Sequence, residues 1–283
     1  MEAMQEETSF YHRIIREICQ EDGIDLTWLS SHWLAVMRYD GKVRHILGYK
    51  FDLNPAGSCL AADDKYATFE VLRQAGLPII KHTILYPRSL TEVYVKERNT
   101  PQYIADFFAQ YNQHIVIKAN SGSCGTAVYQ VTSLDQVPQI LERVFHQSFS
   151  ASLCPFYDIQ HEYRVTILDG EVRLAYQKDR QGENWKFNLS QGAIASQIKD
   201  KTLLQKLTVL AQKSAQAIGL RFCNVDIIET AKNELLIIEI NSGVVIEHYL
   251  EQFPQDYEKV KAIYSDAIQK MFESWETYPH WGL

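Results

Sequence analysis

The chain has 283 residues, 46% of them hydrophobic and 22% charged, with a formal net charge of −7. That length holds one large domain or two to three smaller lobes, and the composition is that of a soluble globular protein with a substantial core. The acidic balance argues against a nucleic-acid partner, which requires a concentrated basic surface. No apolar run approaches the roughly 20 residues needed to cross a bilayer, and the stretch Met1–Ser9 is acidic, unlike a signal peptide, so no membrane partner is expected. The five cysteines (Cys19, Cys59, Cys124, Cys154 and Cys223) are odd in number and lack C-x-x-C spacing. They read as thiols of a reducing cytoplasm, not as a disulfide frame or zinc site.

Phe10–Gln20 carries helical periodicity through Ile14, Ile15 and Ile18, and Gly23 stops it. Strands are expected at Asp25–Leu29, Trp33–Arg38 and Val43–Gly48, with Asp40-Gly41 as the tight turn of a hairpin. Residues 1–57 thus read as a short α+β unit, ended by a break at Asn54-Pro55-Ala56-Gly57. Trp28, Trp33 and Tyr39 are large groups for so small a unit, and its strands offer an edge for pairing. A homodimer through Asp25–Gly48 is the corresponding expectation, against packing of these strands on their own chain only. Arg38 and Lys50 read as surface charges.

Asp63-Asp64-Lys65 opens a helix that Gly76 and Pro78 end after Ala75. A strand follows at Ile79–Leu85, a helix at Gln102–Tyr111, and a short strand at Ile115–Lys118. That strand runs into Ala119-Asn120-Ser121-Gly122-Ser123-Cys124-Gly125-Thr126, after which Ala127–Val131 resumes strand character. A Gly/Ser loop between strands exposes backbone amides and can lie over phosphates, although a plain hairpin has the same composition. No P-loop ending and no dinucleotide glycine fingerprint are present. Ser133 is the expected cap of a helix carrying Leu134, Val137, Leu141 and Phe145, with Pro138 as an internal blemish.

Ser152–Tyr157 leads to Glu162–Leu168, the Asp169-Gly170 turn and the return strand Glu171–Lys178. Gln181–Gly192 is polar and glycine-bounded, the composition of a functional loop. Lys201–Ile218 is an amphipathic helix capped by Gly219, and Gln255–Trp275 is another, with Tyr257, Val260, Tyr264, Ala267, Ile268 and Met271 on its core face.

Between those helices lies C-N-V-D-I-I-E-T, a four-residue break, and L-L-I-I-E-I-N-S. Pairing Thr230 with Leu235 sets Ile228 opposite Ile237 and Asp226 opposite Glu239, so Asp226, Glu239 and Asn241 share one sheet face. Two facing carboxylates in an apolar sheet repel and are costly to desolvate, and a hard divalent cation relieves both problems. Spacing alone leaves a solvent-facing polar stripe equally open.

The joint order of these elements resembles the ATP-grasp superfamily. Within it the resemblance is to the amino-acid ligase branch of ribosomal-protein glutamate ligase, cyanophycin synthetase and the ATP-grasp part of glutathione synthetases. The segments that carry it are S-C-L-A-A-D-D-K-Y-A-T, L-R-Q-A-G-L-P, I-V-I-K-A-N-S-G-S-C-G, E-Y-R-V, N-L-S-Q-G-A, N-V-D-I-I and I-I-E-I-N-S-G, spread from Ser58 to Glu247. The resemblance implies an α+β ATP-grasp fold over residues 58–283, in which two lobes grip ATP and a lid subdomain covers about residues 114–153. Two departures stand out: Pro155 occupies a hinge position that often holds Glu, and only about 60 residues precede the lysine helix where the family usually has a larger α/β domain.

Carried over residue by residue, the resemblance implies that Lys65 and Lys118 neutralise ATP phosphates while Ser121, Gly122, Ser123 and Gly125 fold over them. Phe156 and Tyr157 become the hinge that reads adenine, and Glu162 the ribose contact. Asp226, Glu239 and Asn241 become the Mg²⁺ ligands, for two ions with Mn²⁺ as a substitute. Lys186, Asn188, Arg180 and Arg164 face the transferring phosphoryl group and the carboxylate substrate. Taken alone, Lys118 reads as a surface lysine, and Glu162 and Arg164 as members of weak cross-strand ion pairs. The implied activity is ATP-dependent ligation of a small-molecule carboxylate and an amine through an acyl phosphate, on an amino acid or small peptide in the cytoplasm. A small-molecule kinase and a nucleotide-binding regulator without turnover are the alternatives.

Overall fold

The computed structural model describes residues 9–87, 101–122, 127–182 and 187–273. In chain order the elements are α1 (Phe10–Glu21), β1 (Asp25–Leu29), β2 (Leu34–Tyr39), β3 (Lys42–Leu47), β4 (Lys50–Phe51), α2 (Ala56–Asp63), α3 (Lys65–Gln74), β5 (Thr83–Leu85) and α4 (Pro101–Gln110). They continue with β6 (Ile115–Ala119), β7 (Val128–Val131), α5 (Val137–Phe145), β8 (Ala151–Pro155), β9 (Ile159–Leu168), β10 (Glu171–Asp179) and β11 (Ile194–Ser196). The last are α6 (Lys201–Ile218), β12 (Phe222–Thr230), β13 (Leu235–Asn241), α7 (Glu247–Gln252) and α8 (Tyr257–Glu273). The strands form three antiparallel sheets, ordered β1-β2-β3-β4, β5-β8-β6-β7 and β11-β10-β9-β12-β13. The fold is α+β, as expected. No helix among the described residues is long and apolar enough to cross a membrane.

The N-terminal elements follow the expected pattern, and Asp40 and Gly41 both adopt positive φ in the β2–β3 turn, as a tight hairpin requires. They do not bury a separate core. Ile14, Ile15 and Ile18 of α1 and Ala35, Met37, Ile46 and Phe51 of the sheet form one cluster with Val260, Ile263, Tyr264, Ile268 and Met271 of α8. The Phe51 and Tyr264 rings stack at 5.7 Å. Glu247 adds a polar tie, accepting hydrogen bonds from the Phe10 and Tyr11 amides at 2.8 Å each. A carboxylate at a helix N-terminus also meets the positive end of the helix dipole.

The break expected at Asn54–Gly57 is shorter than predicted. Pro55 precedes helix α2, where proline's fixed φ costs nothing. Asn54 latches to β12 instead, donating to the Phe222 carbonyl and accepting from the Arg221 and Phe222 amides at 2.7–2.9 Å. The strand expected at Ile79–Leu85 is reduced to Thr83–Leu85, because Ile79 and Ile80 bridge to Ile237 of β13. Ser133 heads a 3₁₀ turn with Gln136 as its reciprocal cap, and α5 begins only at Val137. Pro138 therefore lies in the first turn, where its missing N–H is no loss.

In the sheet β5-β8-β6-β7, Leu85, Ile115, Ile117, Ala151 and Leu153 face α4 and α5. Alternation turns Ile84, Val116, Lys118, Ser152 and Cys154 to the opposite face. In the five-stranded sheet, Val165, Ile167, Val225 and Ile227 pack against Leu207, Ala211 and Ala215 of α6. Asp200 caps α6 by accepting from the Thr202 amide at 2.7 Å, and Gly219 closes it with φ +79°. On the other face, Leu168, Leu174, Tyr176 and Phe222 join the cluster of the N-terminal sheet and α8, while Glu162, Arg164, Lys178, Asn224 and Asp226 form a polar patch.

Candidate active site

The β12–β13 hairpin brings Asp226 opposite Glu239 and Asn224 opposite Asn241. The route differs from the simplest register. Thr230 pairs with Glu234 across a shorter loop, where Asn233 takes φ +60°, so Ile228 faces Leu236 and not Ile237. A one-residue bulge between Ile237 and Glu239 then restores the Asp226–Glu239 pair. Asn241 Nδ2 donates to Asp226 Oδ2 at 3.2 Å and to Glu239 Oε1 at 3.1 Å, which joins the three residues in one cluster.

β9 places Arg164 directly opposite Asp226 on the other side of β12. The guanidinium is bidentate, with Nε to Oδ1 at 2.8 Å and Nη2 to Oδ2 at 2.6 Å. Lys178 of β10 reaches the same carboxylate at 3.2 Å and also pairs with Glu162. Asp226 and Lys178 are buried, with side-chain exposures of 2% and 4%, so this is a desolvated network and not a solvated stripe. Burial alone would raise the Asp226 carboxyl, but Arg164 and Lys178 outweigh it and hold it far below the usual carboxylate range. Burial, with Asp226 nearby, pushes the Glu162 carboxyl up despite Lys178. Burial would lower Lys178, and Asp226 and Glu162 raise it instead.

A second set of cations lies on α3 and β6. Asp64 Oδ1 caps α3 by accepting from the Ala67 amide at 2.8 Å. Asn120 satisfies two further amides of that helix start, through its carbonyl to Lys65 N and its Oδ1 to Tyr66 N, both at 3.1 Å. The Lys65 ammonium donates to the Gly122 carbonyl at 2.9 Å, and Ser121 bridges to Asp64. The first part of the Gly/Ser loop is thereby bolted to the lysine helix; Ser123 and Gly125 lie outside the described residues. Burial pushes the Lys65 ammonium below the usual lysine range, Glu239 pulls it back, and Lys118 pushes it down again. Lys118 is itself only 6% exposed, so it is not the surface lysine of the simplest reading. His82, also buried, bonds Ser152 Oγ through Nδ1 at 2.6 Å. Two buried polar atoms in this region, His82 Nε2 and Asn120 Nδ2, have no hydrogen-bond partner among the described residues.

At the expected hinge position, the Phe156 amide donates to the His114 carbonyl at 3.1 Å, and its ring stacks on His114 at 3.8 Å. Tyr157 is anchored by its hydroxyl, which accepts from the Lys81 amide at 3.4 Å. Pro155 ends β8 immediately before them.

A description of the RimK-like ATP-grasp domain matches residues 62–259. The chain belongs to the RimK-like ATP-grasp family. It is 25% identical over 250 residues to the tetrahydromethanopterin:alpha-L-glutamate ligase of Methanocaldococcus jannaschii, a match that covers 79% of this chain and 83% of that one. It is 26% identical over 193 residues to a probable alpha-L-glutamate ligase of Haemophilus ducreyi, covering 67% of this chain but 57% of that relative. Among solved structures, the ATP complex of D-alanine–D-alanine ligase from Bacillus anthracis superposes with a TM-score of 0.58 at 18% identity, over 78% of this chain and 68% of that one. The ATP-grasp ligase PsnB bound to a minimal precursor gives 0.56 at 16% identity, over 77% of this chain and 64% of that one. At these identities the structures establish the fold alone.

Within this ATP-grasp fold the remaining predicted residues are scattered more widely. Arg164 and Glu162 lie in the acid network described above. Arg180 is exposed just past β10, with its guanidinium 5.7 Å over the Phe187 ring. Asn188, half-buried, opens the 3₁₀ turn Leu189–Gln191, and its carbonyl accepts from the Gln191 and Ala193 amides. Lys186 lies outside the described residues. Sequence reading missed Lys178. A two-residue Asp169-Gly170 turn without a bulge pairs Lys178 with His161, whereas the bulge at Arg173 shifts it opposite Glu162. Sequence reading also missed His82, which carries no motif of its own, and Asn120, which lies in the I-V-I-K-A-N-S-G-S-C-G segment but was given no role.

Proposed function

We propose that the protein couples ATP cleavage to joining a carboxylate and an amine, through an acyl phosphate, on an amino acid or small peptide. The observation that carries this reading is the polar row Arg164–Asp226–Glu239, closed by Asn241 and set near the half-buried Lys65 and the buried Lys118. Glutamate is the first amino acid to test, since relatives bear the name alpha-L-glutamate ligase.

The donor set fits a hard cation. Glu239 and Asn241 offer oxygen ligands beside a carboxylate, the kind of environment Mg²⁺ accepts when phosphate oxygens complete its shell. Asp226 is saturated by Arg164, Lys178 and Asn241, so Glu239 and Asn241 would bear the closer share of the ion, with Asp226 supporting them. Bound there, Mg²⁺ supplies charge neutralisation on the phosphate oxygens; two ions, and replacement by Mn²⁺, belong to the same reading. Lys65 and Lys118 orient the phosphates. Ser121 and Gly122, with Ser123 and Gly125, cover them and exclude water. The unpaired His82 Nε2 and Asn120 Nδ2 suit a polar ligand in the same space. At the hinge, the Phe156 amide is already engaged, so adenine is read by the Phe156 carbonyl and the Tyr157 backbone. Glu162 serves the ribose, and Arg164, Arg180, Lys186 and Asn188 serve the phosphoryl group and carboxylate.

The reaction is placed in a reducing cytoplasm, in keeping with the unpaired Cys19, Cys59, Cys154 and Cys223. Neither nucleic acid nor membrane is part of this reading. The assembly is a homodimer through the outer face of the N-terminal sheet, where Leu29, Leu34 and Leu47 stand in one cross-strand row, Leu29 and Leu47 about half exposed. Sedimentation showing one fully active species at 32.7 kDa would overturn the dimer. For the reaction, phosphate release from ATP is measured with acids and amines singly and in pairs. Release only with both supports the ligase; ADP formation with a hydroxyl compound alone would make the protein a kinase.

A further inference from the structure

The N-terminal sheet reaches the acid site through its shortest strand. The Val244 amide donates to the Tyr49 carbonyl at 3.0 Å, and a Cβ added at Gly243 would stand 3.5 Å from Tyr49 Cβ and 3.6 Å from Lys50 Cγ. The segment that follows Asn241 is therefore clamped against Tyr49-Lys50. Lys50 forms an ion pair with Asp63, the last residue of α2. Ser242 Oγ donates to the other oxygen of that carboxylate at 3.3 Å. Asp63 also lies close enough to Lys65 to act on its charge. An ammonium, a carboxylate and a hydroxyl thus stand one residue beyond Asn241 and two before Lys65.

This arrangement differs from the buried network on β9, β10 and β12. Lys50 and Asp63 are each 38% exposed, so both charges are open to a solute. An ion pair of that exposure contributes little to stability, and exchanging its partners costs correspondingly little. The pair is neutral as a whole, so it does not compete with Lys65 and Lys118 for phosphate. It complements a solute that carries one positive and one negative charge side by side.

We propose that Lys50 and Asp63 recognise the zwitterionic head group of a free amino-acid substrate, the carboxylate binding Lys50 and Ser242 and the ammonium binding Asp63. This rests on the ligase reading and specifies the class of its amine substrate. It also assigns a task to the N-terminal sheet, whose strand β4 supplies Lys50.

The test is binding of each proteinogenic L-amino acid, and of its α-amide, to the full chain in the presence of Mg²⁺ and a non-hydrolysable ATP analogue. The expected result is that at least one amino acid binds, and that its α-amide binds about tenfold to a hundredfold more weakly, the range for losing a charged hydrogen bond. In Lys50→Met the acid and the amide bind equally weakly, Lys50→Arg retains most of the preference, and ATP-analogue affinity is unchanged in both. An intact preference in Lys50→Met would overturn the inference, as would failure of every free amino acid to bind wild type. Either result leaves the ligase reading in place if acid and amine together still release phosphate. Conversely, absence of paired phosphate release would sink the ligase reading.

Discussion

Arg164 grips Asp226 from the neighbouring strand with two hydrogen bonds of 2.8 and 2.6 Å, while Lys178 holds the same carboxylate from one strand further away. Two cations on one buried carboxylate make Asp226 a fixed anion whose geometry is set before any ligand arrives. Glu239 and Asn241, on the outer strand β13, are then the adaptable part of the cluster.

The Arg164–Asp226 pair is buried enough that removing one partner leaves the other poorly solvated. Breaking such a pair costs about 3–5 kcal/mol. Arg164→Met is therefore expected to lower the melting temperature by on the order of 10 °C, measured by calorimetry, and Arg164→Lys by less. Adding Asp226→Asn to Arg164→Met should recover part of the loss; no recovery would mean that packing, not charge, is what Arg164 provides.

Glu239 is half-buried at the open end of the cluster. Glu239→Gln preserves shape and the hydrogen bond from Asn241 but removes the charge. The expected outcome is a near-normal melting curve with Mg²⁺-dependent ATP turnover reduced about a hundredfold or more, the size of losing one electrostatic contact that acts in the transition state. Wild-type turnover in this variant would reduce the trio to a structural feature.

His82 is buried between Phe69 and Ser152 and close to Lys65 and Lys118. Burial first, and the two lysines second, hold its imidazole neutral to well below the usual histidine range. An unfolded chain binds that proton at about pH 6.5. Below that pH the unfolded state binds more protons than the folded one, so stability falls as pH drops, by up to ~1.4 kcal/mol per pH unit. Denaturant midpoints measured across this range should show the slope in wild type and a flatter one in His82→Asn. Equal slopes would show that other groups dominate the acid sensitivity.

Glu247 ties the start of α1 to the segment after β13. Glu247→Ala removes two charge-assisted bonds and is expected to cost about 2 kcal/mol or more. Hydrogen exchange should report the loss first in α1 and the β1–β4 sheet, with β9 and β12 still protected. Uniform loss of protection would mean that the N-terminal unit and the ATP-grasp body unfold as one.

Several features were legible from the residues alone because their causes are local. The apolar helical period of Lys201–Ile218 and the glycine after it delimit α6 to the residue. Asp64 beside Lys65 marks a helix start, and the sequence names Asp226, Glu239 and Asn241 as the polar residues of the β12–β13 hairpin. Other features depend on a shift of a single residue, and a one-residue slip turns every side chain to the opposite face. The bulge at Arg173, whose side chain pairs with Asp266 of α8, brings Lys178 onto Glu162 and Asp226. The bulge before Glu239 corrects for a hairpin loop shorter than the spacing suggests. Neither bulge has a glycine or other local mark in the sequence. The same holds for Lys50, which looks like a surface charge in the sequence and becomes a neighbour of the acid site only because β4 lies against Gly243. The sequence thus determined the elements and the chemical identity of the cluster, while the tertiary packing decided which cations neutralise it and what borders it, since those partners come from strands and helices that only long-range contacts bring together.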